Sequence, residues 1–274
     1  MERKLVKQGR NALTVTLPAK WLQYKSLKQG DSVFLEEREQ KIIISSLNAT
    51  TKSETAVDVC NADRGKSFHL ILGKYLQGYD RIGVLHNNPS LIQEIARELL
   101  GMAIEEHSSN KTVIKNIIVV PEDNFKVLLR RSAHILVQQT RTMEQVSLGK
   151  AELKQVKEEE RLLDYNLLYC LRYLNKYEIH PHAYRYFLIC STLELTGDQI
   201  SRIAQHIGKN KELAKKIVKG VEQYVDLLFK NDFSDIYTSL RQFRQNIGKN
   251  TFVEGLAYNL AENLYNNIGY LIDA

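Results

Sequence analysis

The stretch KLVKQGRNALTVTLPAKWLQYKSLKQGDSVFLEEREQKIIIS, residues 4–45, sets the organisation of the chain. Leu13, Val15 and Leu17 alternate with Thr14 and Thr16, the period of two that predicts a strand. Val33 and Leu35 repeat the pattern, and Ile42, Ile43 and Ile44 follow it. Pro18 opens a short helix over Ala19-Lys20-Trp21-Leu22, its fixed φ suiting a first turn. Gly9-Arg10-Asn11 and Gly30-Asp31 are turn signals. Residues 1–46 therefore read as strand, strand, short helix, strand, strand. So short a segment buries little core by itself, so it either dimerises or packs on the rest of the chain.

Charge is concentrated in the same place. Residues 1–30 carry Arg3, Lys4, Lys7, Arg10, Lys20, Lys25 and Lys28 against Glu2, a net +6 that equals the charge of the whole 274-residue chain. A basic footprint at one end points to a polyanion partner there, or to a lysine-rich solvated surface.

Moving outward, residues 47–54 are polar and aperiodic, the best domain boundary in the sequence. Residues 55–125 alternate strand and helix. Strands are expected at 56–59, 81–85 and 113–120. Helices are expected at 65–77 and over about 17 residues from Pro89, with Leu91, Ile92, Ile95, Leu99 and Ala103 on one face. This is a small β-α-β-α-β segment without a nucleotide-binding glycine motif. Residues 126–274 read as six helices, at 126–147, 151–177, 182–208, 210–230, 233–248 and 251–272, broken at Gly149, Pro181, Gly208 and Asp232. Short connections make these antiparallel, most simply as two three-helix bundles. The fold class expected is α+β and multidomain.

Apolar residues are 43% and charged residues 26% of the chain, which excludes a disordered or fibrous protein. No apolar run approaches a membrane span, and the charged N-terminus lacks a secretory h-region, so a cytoplasmic protein without membrane insertion is expected. Cys60, Cys170 and Cys190 are odd in number and widely spaced, which argues for reduced thiols.

The basic first strand, Gly9-Arg10, the alternation into Leu17-Pro18 and Leu27-x-x-Gly30-Asp31 together resemble the AbrB/SpoVT swapped-hairpin DNA-binding family, most nearly its archaeal branch. The resemblance implies an intertwined dimeric β-barrel over residues 1–46 that binds double-stranded DNA, with Arg3, Lys4, Lys7, Arg10, Asn11 and Lys20 near the DNA. In some members of that family the barrel serves mainly as a dimerisation module. Trp21 reads as core packing.

The helical half is similar to the phosphate-uptake regulator (PhoU) family. Glu160-Arg-Leu-Leu-Asp164 and Leu193-Glu194-Leu-Thr-Gly-Asp198-Gln-Ile-Ser-Arg-Ile-Ala204 both contain its E-x-x-x-D pattern. Carboxylates at i and i+4 share a helix face and repel, so a cation is expected to offset them. One candidate is a hard metal ion held between two helices, which the resemblance supports. The other is a basic side chain, Lys157 or Arg202. The sixth helix has Tyr258 and Glu262 where an acidic pair is expected, and the fifth offers only Asp232 and Asp235. His206 is an extra ligand candidate, whereas His180 and His182 read as solvated. No catalytic motif is present, so no enzyme is expected.

These readings converge on a homodimeric transcriptional regulator of phosphate uptake, with Glu160, Asp164, Glu194 and Asp198 as candidate ligands for a metal ion of unspecified identity. The alternative is an adaptor in which the bundles dock on a phosphate transporter or sensor protein and the barrel only dimerises.

Overall fold

The computed structural model describes residues 2–9, 12–38, 41–46, 54–118, 122–177, 183–230 and 233–272. The chain divides into two compact units, Met1–Ser53 and Glu54–Ala274. It is α+β and predominantly helical.

In the first unit, β1 (Val6–Gln8) pairs antiparallel with β2 (Ala12–Thr14), placing Lys7 opposite Leu13. Pro18 is extended immediately before α1 (Ala19–Tyr24), and its carbonyl accepts the Leu22 amide at 3.1 Å. Gly30 takes φ +94°, open to glycine at little cost, and the neighbouring Asp31 carboxylate accepts the Lys28 amide at 2.7 Å. β3 (Val33–Arg38) and β4 (Lys41–Ser46) form a second antiparallel hairpin. The hairpins are separate two-stranded sheets, and no closed barrel forms among the described residues. None of the unit's described side chains is buried, and Leu13, Leu35 and Ile42 are each more than 60% exposed.

The second unit begins with a four-stranded sheet ordered β5-β6-β8-β7 (Glu54–Asp58, Arg81–Leu85, Lys111–Asn116 and Met102–His107). β5 and β6 run parallel, joined through α2 (Arg64–Leu76), while β8 is antiparallel to both its neighbours. The Asp63 carboxylate caps α2 by accepting the Lys66 amide at 2.8 Å, and Asn88 caps α3 (Pro89–Arg97) with Pro89 at its start. Ile71, Tyr75, Ile82, Val84, Ile92, Ile95 and Ile114 form the core.

The β-α-β-α-β expectation for residues 55–125 needs correction, because a fourth strand is present. The 17-residue helix expected from Pro89 stops at Arg97, and residues 102–107 are β7. Gly101 turns the chain at φ +82°, with Tyr169 so close that a Cβ there would lie 3.3 Å from its ring. Beyond it, pairing with β8 overrides the helical preference of Ala103 and Glu105.

Six helices follow: α4 (Glu122–Ser147), α5 (Leu153–Tyr177), α6 (Ala183–His206), α7 (Lys211–Lys230), α8 (Phe233–Gln245) and α9 (Phe252–Ile272). Gly149 and Gly208, both at positive φ, lie in the breaks after α4 and α6. Thr251 and Glu254 cap α9 reciprocally: the Glu254 amide donates to Thr251 Oγ1 and the Thr251 amide to Glu254 Oε2. Pro181 and Asp232 lie outside the described residues. Helices α4, α5 and α6 pack on one another, as do α7, α8 and α9; α6 meets α9 and α4 meets α7, giving one continuous core. Among the described residues, no helix is long and apolar enough to cross a membrane.

A polar clasp joins the α/β segment to the helices. Arg172 of α5, 3% exposed, donates to the Tyr75 carbonyl at 2.5 Å, lies 4.9 Å from the Tyr75 ring centroid and reaches Asp80 at 3.4 Å. Lys176 also pairs with Asp80, and Asn175 donates to the Leu76 carbonyl. Gly78, at φ +89°, lies directly beneath Lys176, where a Cβ would be only 2.8 Å from that side chain's own.

Candidate functional site: an acidic seam between two helices

Glu160 and Asp164 stand one turn apart on α5, and Glu194 and Asp198 one turn apart on α6. The helices run antiparallel, because Glu160 meets Ser201 while Asp164 meets Glu194 and Asp198. Packing beneath sets their separation. A Cβ on Gly197 would lie 2.5 Å from Leu163 Cδ2, so a larger residue there would force the buried Leu163 side chain to move. Gln139 of α4 anchors the same turn, donating to the Gly197 carbonyl at 3.0 Å and to Ser201 Oγ at 3.1 Å.

One carboxylate oxygen from each of Asp164, Glu194 and Asp198 lies within 4.8 Å of the others, and all three residues are half-buried. Glu160 is tied back by Ser201, whose hydroxyl donates to Glu160 Oε2 at 2.5 Å. Asp164 Oδ1 is buried without a hydrogen-bond partner. Burial first, and then the charges of Asp198, Glu194 and Glu160, push Asp164 up to about 7. Burial is also the leading cause that raises Glu160 and Glu194, followed for Glu194 by Asp198. Neither Lys157 nor Arg202 forms an ion pair with these carboxylates among the described residues. The seam thus holds excess negative charge at low exposure, open to a proton or a cation.

Ser201 and Gln139 are the further polar residues of this layer. The adjacent Glu159 faces α4 instead, where its carboxyl, raised by burial, accepts the Thr142 hydroxyl at 2.9 Å. The position of Ser201, three residues after Asp198, was the one available signal in the sequence.

In the second bundle, Glu262 pairs with Arg244 at 3.3 Å, and Arg244 also lies over the Tyr265 ring. A hydrogen bond from Tyr258, and then Arg244, hold the Glu262 carboxyl below its ordinary value. His206 packs edge-on against Phe252. His180, His182 and Asp232 lie outside the described residues. Cys170 and Cys190 are buried free thiols and Cys60 is half-buried.

In the first unit, Arg3, Lys4, Lys7 and Lys20 are exposed, and Trp21 is half-buried. Arg10 and Asn11 lie outside the described residues. No family model, curated protein or solved structure matches the chain in comparison.

Proposed function

We propose that this chain is a dimeric DNA-binding regulator of phosphate uptake or metabolism, holding DNA through its N-terminal unit and receiving a signal through its helices. The observation that carries the reading is the surface of the N-terminal unit. Arg3, Lys4, Lys7, Lys20 and Lys28 are exposed, and so are Leu13, Leu35 and Ile42, which one copy leaves without a core. A second copy offers that core, and two-fold symmetry then presents two equivalent basic faces to two half-sites. Arg3, Lys4, Lys7 and Arg10 supply phosphate contacts, and the arginines can also read base edges. The link to phosphate rests on the resemblance of the two E-x-x-x-D helices.

The acidic seam fits a hard divalent cation. Its donors are all oxygens, Asp164 Oδ1 has no hydrogen-bond partner, and Lys157 offsets the charge only at Glu160, without an ion pair among the described residues. Asp164, Glu194 and Asp198 would hold the ion, with Glu160 oriented beside it by Ser201. An ion bound there would neutralise the carboxylates that α5 and α6 bring together.

Binding to mixed genomic DNA fragments over a salt series tests the reading. With six to eight phosphate contacts, log K against log salt should fall with a slope of about −5 to −7. Replacing Arg3, Lys4, Lys7 and Arg10 by alanine should abolish retention. Retention that survives the quadruple change would overturn the assigned surface. No retention at low salt would leave the N-terminal unit as a dimerisation module.

A further inference from the structure

The β7–β8 hairpin is fastened to its neighbours through one buried hydroxyl. Thr112 of β8 is fully buried. His86, just beyond β6 and 1% exposed, places Nε2 at 2.8 Å from Thr112 Oγ1. His107, the exposed last residue of β7, places Nδ1 at 2.8 Å from the same oxygen. His107 Nε2 then meets the Gln93 side-chain amide of α3 at 2.9 Å. The row Gln93, His107, Thr112, His86 thus joins α3, β7, β8 and the end of β6. The His86 amide adds a backbone tie, donating to the Asn110 carbonyl in the hairpin turn at 3.0 Å.

Counting protons shows what the row tolerates. A hydroxyl carries one hydrogen, so Thr112 donates to one imidazole and accepts from the other. Two neutral rings satisfy this in either direction, because each has one N–H and one bare nitrogen. A first proton fits on exposed His107, whose Nδ1–H still donates to Thr112 while Thr112 donates to His86. A second proton, on His86, turns N–H groups on Thr112 from both sides. The hydroxyl then loses its acceptor, and among the described residues it has no third partner. His86 Nδ1 is buried without a hydrogen-bond partner, so a charged ring there leaves an N–H unmet. The ring centroids are 6.3 Å apart, so two cations would also repel. The charged groups on the surrounding elements do not relieve this. Lys111 alternates with Thr112 and lies on the opposite face of the sheet. Glu105 and Glu106 of β7 go to Arg81, and Asp58 and Asp63 accept the amides of Cys60 and Lys66. Arg64, Lys66 and His69 of α2 are exposed, as are Glu94 and Arg97 of α3. Burial first, and then His107, hold His86 below its ordinary value.

We propose that this row is a pH-operated latch, which holds the hairpin closed with one proton or none and releases it from β6 when His86 takes the second. In the opened hairpin His86 faces water and titrates as an ordinary histidine. The latch is therefore fully closed above about pH 6.5, and opening becomes about tenfold more frequent for each pH unit below that. The effect is opposite in sign to that of a carboxylate raised by burial, so it is read at the hairpin itself. It goes beyond the DNA-binding reading and does not depend on it.

Hydrogen exchange of the full-length chain between pH 8 and pH 5, corrected for the intrinsic rate, is the test. Amides of residues 84–88 and 102–114 should open about tenfold more often per pH unit below about pH 6.5, while those of α8 and α9 keep their protection. His86→Gln, which can meet Thr112 but takes no proton, should leave the hairpin closed at every pH. Because His86 is buried, a second measurement uses the unaltered chain. Nitrogen chemical shifts of the imidazoles should show His107 taking a proton while His86 stays neutral in the closed hairpin. Opening indifferent to pH would overturn the proposal, as would a pH dependence that survives His86→Gln. Two charged rings in a hairpin that stays protected would overturn it as well. DNA retention is read in a separate experiment, so either reading can fail alone.

Discussion

Asp164 shows what one side chain can report. Its folded-state pKa is about 7, against an ordinary 3.8, because burial and three neighbouring carboxylates disfavour its charge. The folded chain therefore holds this proton more tightly than the unfolded chain. The group's contribution to stability is fully present below about pH 4, is lost as pH rises toward 7, and stays lost above. The loss should be about 1–3 kcal/mol after allowing for partial solvent screening. Thermal unfolding of the metal-free protein should accordingly give a lower midpoint at pH 8 than at pH 5, from this seam. Asp164→Asn should remove most of that difference by raising the midpoint at pH 8. If a divalent cation is the partner, manganese or magnesium should raise the wild-type midpoint at pH 8 and barely move that of Asp164→Asn. A wild-type pH profile unchanged by Asp164→Asn would remove Asp164 as its source. The spacing of Glu160, Asp164, Glu194 and Asp198 was legible in the sequence, since i and i+4 fix a helix face. Ser201 stood in view three residues after Asp198, but that it and Gln139 meet the seam was not legible, because this depends on the register between helices, which periodicity does not encode.

At the scale of elements, legibility followed how local the cause is. Gly149 and Gly208 mark helix ends because positive φ is a property of a single residue. β7 escaped reading because Ala103, Ile104 and Glu105 suit a helix, and only β8, some ten residues later, makes them a strand. The clasp around Arg172 was invisible for the same reason, since it joins α5 to Tyr75, 97 residues away in sequence. It ties the α/β segment to the helices within one compact unit. Arg172 is buried, and its donors answer the Tyr75 carbonyl and Asp80. Arg172→Met keeps much of the volume but removes one of the donors to the Tyr75 carbonyl, which keeps the Gly78 amide at 3.0 Å, and takes a cation from Asp80, at a cost of about 1–3 kcal/mol. Hydrogen exchange should then quicken in α2 and the C-terminal turns of α5 well before it changes in α7–α9. Uniform quickening across the whole unit would mean that the clasp does not mark a local boundary.

For the whole molecule, the contrast between the two units is the strongest statement the structure makes. The second unit buries apolar stripes from its helices, whereas none of the described side chains of the first is buried. Exposed leucines and isoleucines scattered singly are ordinary, but here they recur at the alternate positions that a strand turns to one face. A hairpin of this kind is marginal in water until it gains further strands or a packed partner. If a second copy supplies that partner, dimerisation and the folding of residues 1–46 form one equilibrium, and the basic surface exists as a unit only in the dimer. Sedimentation of the full chain should then show a dimer at micromolar concentration. Leu13→Ser combined with Leu35→Ser should shift it toward monomer and depress DNA binding at every salt concentration. The salt slope of whatever binding remains should also fall, because a single copy offers half the phosphate contacts. Substituting the four basic residues instead should leave the dimer intact while abolishing DNA binding. If the leucine pair leaves the dimer intact, the second copy is held by the helical unit. The exposed strand leucines would then need a different partner.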